Sequence, residues 1–172
     1  MNRRLVWFIV AVAAQLFILA AVPAQKIHAR VTGKTILLKT APVDPYSIMS
    51  GYYVTLGYEI SNPKVSTEWK KWPVDKQVWV ILKADPNGIW DTVSVHDKRP
   101  SVPDDCIAIK GKISSWRIEY GIESYFIPED ARDKIEQDFR NNSREAKAEV
   151  KVDSSGNAAI TKVIIQDRVY AY

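Results

Sequence analysis

The apolar run near the start of the chain constrains its fold more than any other feature. Residues 5–22 read LVWFIVAVAAQLFILAAV, and Gln15 is the only polar residue among them. A helix of this composition is apolar on every face, so it suits lipid or the export machinery rather than the surface of a soluble domain. The sequence holds no second run of this kind, which predicts a single-pass chain at most.

The residues that flank this run bear on its orientation in the membrane and on whether it is cleaved. Arg3 and Arg4 precede it without an acidic residue, which places the N-terminus in the cytoplasm and residues 26–172 outside it. Two interpretations remain open. Residues 1–25 form an uncleaved anchor, because the run is just long enough to span a bilayer, or they form a signal peptide. Cleavage near Ala24 would then release a secreted or periplasmic domain.

The charge balance argues against a nucleic-acid-binding protein, and the cysteine count argues against a protein stabilised by an intramolecular disulfide. Of the 24 basic residues, two precede the apolar run, which leaves 22 against 20 acidic residues in the remainder. Such a balance lacks the cationic excess that neutralises phosphates, so nucleic acid is not an expected partner. Cys106 is the only cysteine, so no intramolecular disulfide forms, and alternation around it predicts a small, buried side chain.

Alternating apolar and polar residues predict a mostly β (α+β) domain. Strands are expected at residues 35–38, 51–60, 77–84, 89–95, 106–113, 116–127, 146–153 and 158–172. Pro128 opens a helix near 129–141, in which Ala131, Ile135 and Phe139 form an apolar stripe. We expect an antiparallel β-sandwich or partly open barrel of about seven or eight strands, with this helix covering an opening or an edge.

Residues that could carry chemistry are sparse. Two histidines and one cysteine are too few for a recognisable metal site, and no motif predicts a catalytic residue or a cofactor. Trp69 and Trp72 in EWKKW form either a stacking platform for a ligand or part of the domain's packing. The sequence therefore favours a non-enzymatic role without deciding it.

The stretch SGYYVTLGYEI sets this chain apart. Period-two alternation places Val54, Leu56 and Tyr58 on one face and Tyr53 on the other, with Tyr52 on the first. The octapeptide that begins at Gly51 resembles the signature of the GDYXXLXY protein family. Gly51, Tyr53, Leu56 and Tyr58 match this signature, and Tyr52 stands where the signature has Asp.

Other segments extend the resemblance over most of the chain. APVDPYSIMSGYY and VWVILKADPNGIW are similar to the family's lead-in and next hairpin, and YGIESYFIPED is similar to its second block. The second block contains Glu123, Tyr125 and Pro128. Counting by twos along it places Ile118, Tyr120, Ile122 and Phe126 on one face. If the two blocks pair in one sheet, we expect Tyr53 to meet Glu123 or Tyr125.

The resemblance implies a bacterial, membrane-anchored protein of unknown function, often encoded beside multi-pass membrane proteins. The leading hypothesis is therefore a non-enzymatic domain of the bacterial envelope. It is anchored through residues 5–22 and assembles with another envelope or multi-pass membrane protein. A second hypothesis is an envelope hydrolase or transferase that uses Glu123 with a serine or lysine. A third is a glycan or small-ligand binder that uses Trp69 and Trp72.

Overall fold

The structure of the protein is a computed structural model that describes residues 3–41, 49–50, 53–142 and 145–172. Its α-helices are α1, Arg3–Thr32, and α2, Arg132–Asn142. The first six strands are β1 Lys34–Ala41, β2 Met49–Ser50, β3 Tyr53–Thr55, β4 Gly57–Tyr58, β5 Gln77–Ala84 and β6 Trp90–His96. The remaining strands are β7 Cys106–Ile113, β8 Ile118–Glu119, β9 Ser124–Phe126, β10 Ala146–Val152, β11 Ala158–Ile165 and β12 Arg168–Tyr170.

The strands form three antiparallel sheets within the described residues. A five-stranded sheet has the order β12-β11-β10-β1-β4, a four-stranded sheet the order β6-β5-β7-β8, and a small sheet the order β2-β3-β9. The predicted mostly β, antiparallel fold is therefore confirmed. β5, whose sequence is apolar on both faces, is an interior strand, as such composition predicts. The Asp85 carboxylate accepts hydrogen bonds from the main-chain N–H groups of Asn87 and Ile89, both at 2.8 Å, and closes the β5–β6 hairpin.

The predicted helix near 129–141 is also confirmed. A 3₁₀ turn at Glu129–Ala131 leads into α2. Ile135 and Phe139 are buried in the same apolar core as the strands of all three sheets, and Ala131 packs against it. Four-residue spacing keeps these side chains on one face of a helix, which explains why the stripe predicts the packing correctly.

Three predicted strands are each interrupted, and β2 was not predicted at all, so the described residues contain twelve strands rather than seven or eight. Residues 53–58 divide into β3 and β4, which pair with different neighbours. The predicted strand at 116–127 breaks at Gly121, where the chain bends with a φ of +74°. The predicted strand at 158–172 breaks at Gln166, which has a φ of +53°. A count by twos along the sequence does not reveal these breaks.

α1 extends beyond the apolar run. No single helix in the described ranges is long and apolar enough to cross a membrane. The pair Arg3–Leu19 and Pro23–Thr32, bent by 41°, meets the length and composition requirements when taken together. Pro23 lies at the bend, because proline removes a hydrogen-bond donor and disturbs the preceding turn.

The last turns of α1 belong to the folded domain. Ala29 is fully buried, and the helix contacts β10 and β11. Gly33 alone separates α1 from β1, and its N–H donates to the Ala29 carbonyl at 2.9 Å. A Cβ at Gly33 would lie only 2.8 Å from the main-chain nitrogen of Val152, so no larger residue fits there without movement. The junction between helix and sheet is therefore a packed one.

Candidate functional site

The signature strand crosses from one sheet to another. Val54 is opposite Tyr125 in the small sheet, whereas Tyr58 is opposite Thr40 in the five-stranded sheet. Between them, the Leu56 N–H donates to the Glu123 carbonyl at 2.7 Å. Val54, Leu56 and Tyr58 are at most 2% exposed, so the predicted burial of this face is confirmed. Gly51 and Tyr52 lie outside the described residues.

Two buried phenols join the signature strand to the second block. Tyr58 donates its hydroxyl hydrogen bond to the Ile122 carbonyl at 2.7 Å, and Tyr120 donates to the Ile60 carbonyl at 2.7 Å. Burial, and then the negative charge of Glu123, raise the pKa of both phenols well above the ordinary tyrosine value. Both phenols therefore stay protonated. The Ile60 carbonyl lies in the 3₁₀ turn after β4 and the Ile122 carbonyl lies between β8 and β9, so the phenols satisfy two carbonyls outside the strands.

Glu123 closes the bend at Gly121. Its carboxylate accepts a hydrogen bond from the Tyr120 N–H at 2.5 Å. A depression of about 450 Å³ beside it is lined by Lys110 and Lys112. Lys112 pairs with Asp75 at 2.9 Å, and Lys110 donates to Asn157 at 3.3 Å.

The hydrolase hypothesis requires a serine or lysine bonded to Glu123. No serine or lysine in the described part of the chain hydrogen-bonds this carboxylate. The described residues therefore do not assemble the dyad. The contact that Glu123 makes stabilises a turn.

Tyr53 meets Phe126 rather than Glu123 or Tyr125. The β3–β9 register places Tyr53 opposite Phe126, and their ring centroids lie 5.9 Å apart in an edge-to-face arrangement. The two side chains are 49% and 57% exposed. Both blocks do pair in one sheet, but the predicted partners are wrong because Tyr125, opposite Val54, faces the core. We call Tyr53 and Phe126 the aromatic pair.

Tyr125 holds the C-terminal strand. Its side chain is 5% exposed, and its hydroxyl donates to the Tyr170 carbonyl at 3.1 Å and accepts from the Tyr172 N–H at 3.0 Å. Burial raises the pKa of this phenol. Leu56, Tyr58, Glu123 and Tyr125 thus stabilise the fold, whereas Tyr53 presents an exposed surface.

The two tryptophans do not form a ligand platform. Trp69 lies in a 3₁₀ turn, Glu68–Lys71, and is only 1% exposed. Trp72 is half-buried, and the Lys76 ammonium lies 4.5 Å from its ring centroid. Stacking on a sugar needs an open ring face, which Trp69 lacks, so the third hypothesis is wrong in its stated form. Among the described residues, no cluster of three or more His, Cys, Asp and Glu could hold a metal ion.

A groove that the sequence does not predict lies where α1 meets β9 and β11. We call it the junction groove; its volume is about 410 Å³. Its described lining residues are Pro23, Lys26, Ile27, Arg30, Gly121, Ile122, Ser124, Tyr125, Phe126, Ala158, Ala159, Ile160 and Tyr172. Two cations and no acidic residue occur among them. Three segments far apart in sequence form this groove, and the only early signal of it is Lys26 and Arg30, one helical turn apart.

A contact between His28 and Asp153 fixes the same part of α1 to the sheet. His28 Nδ1 lies 3.2 Å from Asp153 Oδ2, and the Asp153 side chain is only 1% exposed. Asp153 Oδ1 also accepts from the Ser155 and Asn157 N–H groups at 2.8 and 2.9 Å. Burial opposes ionisation, but hydrogen bonds from Asn157 and His28 lower the pKa of Asp153. The carboxylate therefore stays charged and ties the helix to the β10–β11 turn.

Comparison with known proteins identifies the family. The family described as GDYXXLXY protein matches residues 15–163, from within the apolar run to β11. No curated protein and no solved structure is significantly similar to the chain. The family match covers most of the sequence and includes both blocks that meet at the aromatic pair. The chain therefore belongs to the GDYXXLXY protein family.

Proposed function

We propose that this protein is a membrane-anchored, extracytoplasmic domain that assembles with another protein of the same membrane. The aromatic pair is its contact surface, and α1 is its anchor. The proposed orientation has the N-terminus in the cytoplasm. The observation that carries the proposal is the exposure of Tyr53 and Phe126, where the two family blocks meet.

The exposed side chains of α1 support the anchor. Trp7, Phe8, Phe17 and Leu19 are between 66% and 74% exposed, so the domain covers none of them substantially. Large apolar side chains that are continuous over a helix are unfavourable in water and are covered by lipid or by a partner helix. The family match begins at residue 15, so it includes part of this segment.

The chemistry of the aromatic pair supports a protein partner. Tyrosine and phenylalanine are enriched in interface cores, where a rigid ring buries a large area at low entropic cost. One aromatic pair is a small contact, and a shared membrane raises the effective concentration of a weak partner. Anchoring and a small aromatic surface together favour a partner in the same bilayer over a soluble one.

The test is capture from native membranes. Full-length protein with a C-terminal affinity tag is extracted in mild detergent, and co-purifying proteins are identified by mass spectrometry. Tyr53→Ser/Phe126→Ser is compared with the wild type. Trp116→Ser is the matched control, because Trp116 is an aromatic side chain that is 64% exposed and lies between β7 and β8, outside the sheet of the aromatic pair.

We expect one multi-pass membrane protein to co-purify with the wild type and the control and to be lost from the double variant. Retention by the double variant would place the interface elsewhere. Absence of a membrane partner from all three would overturn the proposed assembly. The mass of the purified chain shows whether residues before Ala24 are kept, which decides between anchor and cleaved signal peptide.

A further inference from the structure

We propose that the junction groove binds an anionic phospholipid, with Lys26 and Arg30 on its phosphate and the apolar walls around an acyl chain. This proposal rests on the membrane anchoring of α1 proposed above, but not on the aromatic pair or its partner. It adds a lipid-binding site to the protein.

The position of the groove along α1 is the first argument. Its lining begins at Pro23, the residue directly after the apolar run. A helix rises ~1.5 Å per residue, so Arg30 lies ~10 Å beyond Pro23 along the axis. The headgroup region adds ~5–8 Å to each side of the hydrocarbon core of a bilayer. By this measure Lys26, ~4.5 Å beyond Pro23, lies at the depth of the lipid headgroups, and Arg30 lies just outside them.

The charge of the groove is the second argument. Lys26 makes no hydrogen bond or ion pair with any described residue. The Arg30 guanidinium donates only to the Tyr172 main-chain oxygen, at 3.2 Å, within the same ranges. No aspartate or glutamate occurs among the described lining residues, so the Tyr172 main-chain oxygen is the acceptor that a phosphate would replace or share at Arg30. A guanidinium and an ammonium on one helix face suit a phosphate.

The apolar walls complete the argument. Ile27 lies on the helix side, and Ile122, Phe126 and Ile160 lie on the sheet side. A soluble anion would use the two cations but not these walls, and an apolar partner helix would leave the cations unpaired. A phospholipid uses both. The volume of about 410 Å³ falls in the range of ~300–1,000 Å³ that is typical of small-molecule sites.

The test measures lipid binding by the purified full-length protein in detergent. Delipidated protein is titrated with phosphatidylglycerol, with phosphatidylcholine of the same acyl chains, and with the glycerophosphoglycerol headgroup alone. Bound lipid is counted by native mass spectrometry. Lys26→Gln/Arg30→Gln is compared with Lys64→Gln/Lys71→Gln, which removes the same charge from two exposed lysines outside the groove. Ile27→Asp, at a 58% exposed position, places a carboxylate at the groove.

We expect the wild type and the control to prefer phosphatidylglycerol, and Lys26→Gln/Arg30→Gln to weaken its binding about tenfold or more. Ile27→Asp should weaken it as well. Equal binding of both lipids by the wild type, or an unchanged preference in both groove variants, would overturn the proposal. The proposal would also be overturned if the headgroup alone bound as tightly as the whole lipid, because the apolar walls of the groove would then contribute nothing to binding. Because no partner protein is present, these outcomes are independent of the capture experiment.

Discussion

Tyr58 and Tyr120 form two reciprocal hydrogen bonds between the signature strand and the second family block. The Tyr58 hydroxyl donates to the Ile122 carbonyl, two residues after Tyr120. The Tyr120 hydroxyl donates to the Ile60 carbonyl, two residues after Tyr58, and both distances are 2.7 Å. The two phenols replace ladder hydrogen bonds at the place where the signature strand leaves one sheet for another. Their role explains why a tyrosine, rather than any apolar residue, is suited to position 58.

Tyr58→Phe and Tyr120→Phe should each lower the free energy of unfolding by about 1–2 kcal/mol, because each leaves a buried carbonyl without a donor. Tyr53→Phe is the control and should change it by less than ~0.5 kcal/mol, since that hydroxyl is on an exposed side chain. Urea unfolding of the full-length protein in detergent, followed by tryptophan fluorescence, measures these differences. A neutral effect of both buried substitutions would show that the carbonyls find other donors.

The same phenols predict a loss of stability in alkali. Burial first, and then the Glu123 charge, raise the pKa of Tyr58 and Tyr120. Burial, followed by the Asp138 carboxylate, raises that of Tyr170 to about 12. The folded state therefore holds these protons more tightly than the unfolded state, whose tyrosines titrate near pH ~10.

Stability should stay level below pH ~10 and decline as the pH rises from there toward the higher native values. Unfolding midpoints and the tyrosinate absorbance are measured together across this window. Tyr58→Phe/Tyr120→Phe should reduce the slope, and Tyr53→Phe should leave it unchanged. An identical slope in the double variant would contradict the assignment.

Asp138 gives the corresponding prediction in acid. It accepts a hydrogen bond from the Tyr170 hydroxyl, and its oxygens lie 2.7 and 2.9 Å from Arg168 Nη1. The Tyr170 bond first, and then Arg168, hold the pKa of Asp138 below its usual value. This contribution is present above pH ~4 and is lost as the pH falls through the lowered native value.

Asp138→Asn should cost about 1–3 kcal/mol at neutral pH, because the charged acceptor of a buried phenol is lost. It should also flatten the decline in stability below pH ~4. Thermal unfolding at pH 7 and at a series of acidic values checks both effects. Asp104→Asn, at an exposed loop position, is the control and should change neither.

Chemical labelling of Cys106 measures both the membrane topology of the chain and the electrostatic environment of the thiol. Partial burial, and then the Asp105 carboxylate that accepts from its thiol at 3.5 Å, raise its pKa. Its alkylation at neutral pH should therefore be slower than that of a free thiol, because the thiolate is the nucleophile. Asp105→Asn should accelerate it several-fold, since it removes the carboxylate and frees the Lys83 cation that pairs with it at 2.7 Å.

A membrane-impermeant maleimide applied to sealed cells should label Cys106 if the domain lies outside the cytoplasm. Cys106→Ser gives the background, and labelling after lysis gives the total. Labelling only after lysis would reverse the proposed orientation. An unchanged rate in Asp105→Asn would show that the carboxylate does not control the thiol.

Local patterns predict much of this fold. The buried face at Val54, Leu56 and Tyr58, the hairpin at Asp85 and the stripe on α2 each depend on spacing within one element. Spacing within an element follows directly from the periods of helix and strand. These features are therefore visible in a single sequence.

The second block shows where such counting fails. Alternation predicts Ile122 and Phe126 on one face, but Ile122 is 2% exposed and Phe126 is 57% exposed. The buried positions are Ile118, Tyr120 and Ile122, and then Tyr125 and Ile127, so the phase of the strand shifts by one residue just after the bend at Gly121. The sequence shows a glycine at position 121 but does not show that its φ is positive, so the shift depends on tertiary contacts. The junction groove was missed for the same reason, because its walls come from three distant segments.

The short connection at Gly33 has a mechanical consequence. A tether of many flexible residues would let the domain turn freely above the bilayer, and one residue does not. Together with the buried Ala29 and the His28–Asp153 contact, it makes the outer end of α1 a rigid stalk. If α1 is the proposed anchor, the tilt and rotation of this helix set the height and orientation of the sheets above the membrane. A neighbouring protein that binds the helix inside the bilayer would therefore also change the orientation of the domain outside it.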